Sequence, residues 1–224
     1  MRRIYLIAFS LFLIYSYSLK AQLKSDLKGT KVLIETTSGN ITIILYEGTP
    51  LHRNNFAKLV KEGFYDNQLF HRVIKNFMIQ AGDPDSKNAS QGTVLGRGGP
   101  KYTLAAEFRT DYYHKKGALA AARMGDDINP QKSSSGSQFY IVQGTKLTHE
   151  QLNTLVKQGR HSQFTAQQII DYTSIGGTPH LDGSYTVFGE VTSGFDVLDK
   201  IANSAVDANA RPLQDIKYKM KIIK

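Results

Sequence analysis

The 224-residue sequence contains no cysteine. That excludes disulfide bridges, a thiol nucleophile and a lipid-carrying N-terminal cysteine. It is compatible with an oxidising compartment without demanding one. The apolar stretch Ile4 to Tyr15, broken only by Ser10, falls short of the roughly 20 residues that a membrane-spanning helix needs. Lys and Arg outnumber Asp and Glu by 28 to 19, but they are scattered and form no dense run, so no nucleic-acid partner is expected. The glycine-rich stretch from Asp85 to Lys116 holds Gly92, Gly96, Gly98 and Gly99. It matches no P-loop or dinucleotide pattern and lacks a strand-to-helix context, so it reads as long surface loops. Asp83 and Asp85 lie close together with no paired histidine and read as turn formers. No metal and no cofactor are expected.

What is present at the N-terminus is a targeting pattern. Arg2 and Arg3 form a basic start, the apolar run follows, and Ser16, Ser18 and Ala21 offer small residues for cleavage. Residues 1–21 therefore read as a secretory signal peptide, with a periplasmic or secreted destination, and membrane anchoring only if the segment is retained. Residues 22–30 read as a linker and 31–224 as one domain, for which 41% hydrophobic residues supply a sizeable core. The segment 1–21 carries Arg2, Arg3 and Lys20 and no acid, so the remainder is still mildly basic.

Periodicity gives the elements of that domain. Val32 and Ile34, then Ile41, Ile43 and Leu45, alternate with polar residues about Ser38-Gly39-Asn40, as in a hairpin. Thr49-Pro50 opens a helix with Phe56, Leu59 and Val60 on one stripe and Gly63 at its end. Leu69 to Ile74 and Phe77 to Gln80 read as strands joined at Lys75-Asn76, with Phe70, Arg72 and Ile74 on one face and His71 and Val73 on the other. Gly117 to Ala122 is a small-residue strand, Ser133 to Gly136 a flexible loop, and Gly136 to Val142 leads into another strand. Thr186 to Val191 and Ile216 to Ile223 read as strands on either side of a helix from Phe195 to Ala202. Between Thr148 and Thr178, the pairs Thr148/Gln151 and Thr165/Gln168 have capping-box spacing. They mark two short helices, with stripes of Leu152, Leu155, Val156 and of Ala166, Ile169, Ile170.

Three motifs carry the chemistry. They are Phe70-His71-Arg72-x-Ile74-x-x-Phe77-Met78-x-Gln80-x-Gly82-Asp83, then Gly136-Ser137-Gln138-Phe139-Tyr140-Ile141, and Leu181-Asp182-Gly183-x-Tyr185-Thr186-Val187-Phe188-Gly189. In this order they resemble the cyclophilin family of peptidyl-prolyl cis-trans isomerases, from about Lys31 to the C-terminus. The resemblance implies a mainly β fold, a closed eight-stranded antiparallel barrel capped by two helices. The stretch 148–178 is a small helical insertion, expected to pack at the domain edge and to be dispensable for turnover of short peptides.

Isomerising an X-Pro bond breaks no covalent bond. Its barrier of about 18–20 kcal/mol is the amide resonance lost on twisting, so it calls for donors that favour the twisted amide and for a pocket that holds the ring. The resemblance implies that Arg72 is the charged donor and that Gln80 orients it and binds substrate backbone. It implies that Phe77, Met78, Phe139 and Leu181 line the proline pocket, and that Tyr185, where many relatives have histidine, also binds substrate. Ala122, Arg123 and Gln138 fall where substrate backbone binds, with Arg123 in place of the common asparagine. His180 stands at the rim position where many relatives carry a tryptophan that helps bind cyclosporin, so weaker inhibition is expected. The partners implied are proline-containing segments of unfolded or exported proteins, met by a monomer.

Overall fold

A computed structural model of the chain describes residues 29–223. The expected signal segment 1–21 and most of the 22–30 linker lie outside the described residues. Among the described residues eleven strands are formed, nine of them in one antiparallel sheet. β1 (Lys31–Thr36) and β2 (Gly39–Leu45) are the hairpin, and β11 (Lys217–Ile223) pairs with β1 along its full length, so the two ends of the domain are joined. The order continues through β10 (Val187–Ser193), β7 (Ala118–Ala121), β9 (Phe139–Val142), β5 (Met78–Ala81) and β4 (Arg72–Ile74), while β3 (Gln68–Leu69) lies beside β11 at the other end.

The strand count differs from the expected eight because the single strand expected from Leu69 to Ile74 is two pieces. β3 and β4 sit at opposite ends of the sheet order yet are joined by Phe70-His71. The edges of the curled sheet are thus tied through the chain itself, and the amide of Phe70 donates to Ile216 O and that of Val73 to Ala210 O. This break also alters the faces. Phe70 is fully buried in the interior with Val73, whereas Arg72 is exposed. Phe70 therefore does not share the face of Arg72. Ser134–Ser135, expected within a flexible loop, instead forms β8, paired with β6 (Thr103–Leu104).

Two helices close the interior. α1 (Pro50–Lys61) turns Phe56, Ala57, Leu59 and Val60 inward, and α4 (Phe195–Ala202) adds Val197, Leu198, Ile201 and Ala202, all in one cluster with Ile34, Ile43, Ile79, Phe139 and Phe188. Gly63, at φ +65°, follows the first of these helices in the left-handed conformation that favours glycine. The insertion holds α2 (His149–Lys157) and α3 (Ala166–Ser174), each opened by a complete capping box at Thr148/Gln151 and Thr165/Gln168. Leu152, Phe164 and Tyr172 form its own small core. Ile170, expected on the buried stripe, is 55% exposed, and Tyr172 takes the inward position.

The Phe70-His71 break buries an ionisable ring. His71 is 3% exposed and neither ring nitrogen has a hydrogen-bond partner among the described residues. Burial lowers its pKa to about 4; Asp83 and the nearby Leu69 main chain oppose the shift, and the charges of Arg72 and Arg211 add to it. The unfolded chain, with an ordinary value near 6.5, binds that proton first. Its contribution is thus fully present above the unfolded value and is lost as pH falls from 6.5 towards 4. We expect unfolding titrations to show a loss of about 3 kcal/mol across this window, and His71→Phe to flatten that slope. An equal slope in the variant would assign it to other groups.

Candidate active site on the outer face of the sheet

The alternation of a strand sorts the residues between barrel interior and outer surface. In β5, Ile79 and Ala81 point inward and Met78 and Gln80 outward. In β9, Phe139 and Ile141 are interior and Tyr140 and Val142 exterior; in β7, Leu119 and Ala121 are interior and Ala118 and Ala120 exterior. The ladders set these outer residues in a row, with Arg72 opposite Gln80, Gln80 opposite Tyr140, Tyr140 opposite Ala120 and Ala120 opposite Val187.

Met78, Ala118, Ala120, Tyr140, Val142 and Val187 form a second apolar cluster on this outer face, with Phe77, Ala122, Leu181 and Tyr185 half-buried against it. Asn76, at φ +64°, makes the tight turn that folds β5 back on β4, where the Phe77 N–H donates to Ile74 O and Met78 pairs with Ile74. The 3₁₀ turn Pro179–Leu181 brings in Leu181. Tyr185 stands edge-on to Tyr140 with ring centroids 5.9 Å apart. His180 lies at the rim, exposed, its ring stacked on Phe77 at 5.9 Å. Partial desolvation lowers its pKa.

Arg72 borders this cluster with a polar relay. Its Nη1 donates to Gln80 Oε1 at 3.1 Å, Gln80 Nε2 donates to Gln138 Oε1 at 3.0 Å, and Gln138 Nε2 donates to Gly98 O at 2.8 Å. A guanidinium only donates, so the amide oxygen of Gln80 must face it, and the direction of the whole relay follows. Arg72 itself is exposed, not partly buried as its apolar neighbours in the sequence suggest. Among the described residues its guanidinium makes one hydrogen bond, to Gln80, which leaves its other donors unpaired.

The substrate-backbone positions behave differently from each other. Ala122 has both main-chain groups engaged, its N–H donating to Gln138 O and its C=O accepting from Ser135 N. No hydrogen bond among the described residues uses the main-chain N–H or C=O of Arg123. The Arg123 side chain is buried and committed to the fold: Nε donates to Ser184 O at 2.7 Å and the guanidinium lies 4.4 Å over the Tyr185 ring. Two grooves flank the cluster. One of about 360 Å³ is lined by Gln80, Gln138, Ala122, Arg123 and the 96–103 loop. The other, about 430 Å³, lies between Phe77, His180 and the insertion's Gln151, Thr154 and Leu155. A larger hollow of about 620 Å³ near Lys200 and Asp215 shares no residue with them.

The cyclophilin-type peptidyl-prolyl cis-trans isomerase model matches residues 31–221, nearly all of the described chain. The chain belongs to the cyclophilin family. A Staphylococcus aureus (strain USA300) protein named as a peptidyl-prolyl cis-trans isomerase is 37% identical over 191 residues, covering 83% of this chain and 87% of that protein. A Streptococcus pyogenes protein named as a bifunctional phosphatase and peptidyl-prolyl cis-trans isomerase is also 37% identical over 191 residues, but the match spans only 37% of its length. Among solved structures, a Cryptosporidium parvum cyclophilin-type isomerase crystallised in the presence of the dipeptide Ala-Pro superposes with a TM-score of 0.61. It shares 25% identity, and the match covers 87% of this chain and 99% of that one.

The structure brings Arg72, Gln80, Phe77, Met78, Gln138, Leu181, Tyr185 and the rim residue His180 to one face of this cyclophilin, with Ala122 and Arg123 beside them. Phe139 is the exception. It is 1% exposed and packs inside the barrel against Phe56, Tyr65 and Tyr218. Neighbours on a strand point to opposite faces, so the residue on the pocket side is Tyr140. The register would have revealed it, because Tyr140 is the partner of Gln80. We expect Phe139→Leu to cost on the order of 1–2 kcal/mol of stability with kcat/KM of the folded protein unchanged. Tyr140→Leu should lower kcat/KM by about ten-fold or more by misplacing the substrate. Thermal melts beside a peptide assay test this, and the opposite pattern would return Phe139 to the pocket.

Proposed function

We propose that this protein accelerates rotation about X-Pro bonds in exported proteins while they fold. The outer-face apolar cluster of Met78, Tyr140, Phe77, Leu181 and Tyr185 receives the pyrrolidine ring, and the preceding residues of the substrate cross Arg123 and the Gln80–Gln138 pair. Twisting the amide frees the prolyl nitrogen lone pair, and the Arg72 guanidinium donates towards it and the carbonyl oxygen. Export rests on the pattern of residues 1–21.

Magnitudes decide what Arg72 must do. A rate gain of roughly 10⁵ requires about 7 kcal/mol. Two unit charges 4 Å apart interact by about 1 kcal/mol in bulk water but about 4 kcal/mol at the effective dielectric near a protein surface, an upper bound for a guanidinium facing a neutral lone pair. Arg72 is exposed in the free protein, so its electrostatic contribution depends on the substrate covering it. Fit of the twisted ring to the apolar cluster supplies the rest. The observation that carries this reading is the hydrogen-bonded placement of Arg72 by Gln80 directly beside that cluster.

Arg72→Ala should reduce kcat/KM on a short X-Pro peptide by roughly 100-fold or more. It should leave stability within about 0.5 kcal/mol, as for other exposed positions. Full turnover by a folded Arg72→Ala protein would remove Arg72 from the mechanism.

A further inference from the structure

The insertion is wired to the site by hydrogen bonds. Asp182 directly follows Leu181, and its carboxylate accepts from both sides. Oδ1 takes the His114 amide at 2.8 Å and His114 Nδ1 at 2.7 Å. Oδ2 takes His161 Nε2 at 3.0 Å and the Tyr172 hydroxyl at 2.5 Å. His161 and Tyr172 both belong to the insertion, where Phe164 stacks on the first at 3.7 Å and meets the second edge-on. Burial alone would raise the Asp182 carboxyl, but its bonds from His114, His161 and Tyr172 hold it down at about 2, so it is ionised at any physiological pH.

An ionised carboxylate only accepts, which places a proton on His114 Nδ1. In the neutral ring Nε2 is then the acceptor, and the Tyr140 hydroxyl stands 2.9 Å from it. The two rings are also stacked, 14° from parallel. A continuous chain therefore runs from Tyr172 and His161 through Asp182 and His114 to Tyr140. His114 is fully buried and Tyr140 is 4% exposed, so neither group has ready access to water as a substitute partner, and losing one link leaves the next unsatisfied.

We propose that Tyr172 and His161 of the insertion are positioning residues for the proline pocket, acting through Asp182 and His114 to set the Tyr140 ring and the Leu181 turn. This rests on the assignment of the outer-face cluster as the proline pocket. It reverses the expectation that the insertion is dispensable for short peptides: this insertion completes the pocket wall from behind.

The test is a double-mutant cycle. Tyr172→Phe keeps the ring and its packing and removes only the bond to Asp182. It should lower kcat/KM on a tetrapeptide by about three- to ten-fold, within the usual range for coupled neighbours. In a Tyr140→Phe background, where the chain is already cut, the same change should have almost no further effect. Equal losses in both backgrounds, or no loss in either, would overturn the proposal and leave Tyr172 a packing residue. As a readout independent of turnover, the Tyr140 ring-carbon signal of tyrosine-labelled protein, assigned by its absence in Tyr140→Phe, should shift in Tyr172→Phe. Tyr218, in the barrel interior, should stay in place. An unmoved Tyr140 signal would also overturn the link. Wild-type protein without turnover would instead count against the isomerase assignment, while the ring signal would still decide whether the chain exists.

Discussion

The structure depends on one constraint, that successive side chains of a strand must go to opposite faces of a curled sheet. Curling the sheet, whose edge strands β3 and β4 do not pair with each other, gives one face to the interior, where Ile34, Ile43, Ile79, Phe139 and Phe188 meet the two capping helices. The other face is left to water, except between β4 and β10, where it carries a second apolar cluster. An apolar patch on the outside of a barrel is costly unless something covers it. Here it is bordered by Arg72 and Gln80 on one side and by the insertion on the other. The alternation that builds the core therefore also presents the site, and a one-residue slip in β5 or β9 would exchange the two.

Arg72 is exposed and is held by neutral contacts. The Gln80–Gln138 relay fixes where Arg72 stands without neutralising it, whereas Arg123 is withdrawn into a stack on Tyr185 and an ion pair with Asp126. Two arginines near one pocket thus have different fates, set by their partners. The free one is the one whose neighbours are amides, and the constrained one has a carboxylate and an aromatic face beside it. The proposed role of Arg72 draws on this division, since a donor to the twisted amide has to be held in direction and left unsatisfied until the amide twists.

Much of this was legible in the sequence, for reasons that are themselves physical. Capping boxes are local, so Thr148/Gln151 and Thr165/Gln168 marked both insertion helices without tertiary information. Arg72 and Gln80 were legible because a short turn makes them cross-strand partners eight residues apart. What was not legible depends on long-range pairing. Phe139 and Tyr140 are adjacent aromatics, almost equally buried, and only the pairing of β9 with β5 says which faces the pocket. The break at Phe70-His71 is imposed by the barrel changing neighbours, from β11 to β5, in the middle of an apolar run. The Asp182 network joins residues up to 68 positions apart, with no local pattern to announce it.

If the outer face between β4 and β10 receives proline and speeds its isomerisation, exchange spectroscopy on a cis/trans X-Pro peptide will show exchange cross-peaks at catalytic amounts of protein. Amide-shift mapping of the isotope-labelled protein locates the binding face. The largest shifts should fall on Phe77, Met78, Gln80, Arg123, Leu181 and Tyr185, with little change in α4 or β1. Exchange no faster than in free peptide, or shifts centred on the hollow near Lys200 and Asp215, would contradict it.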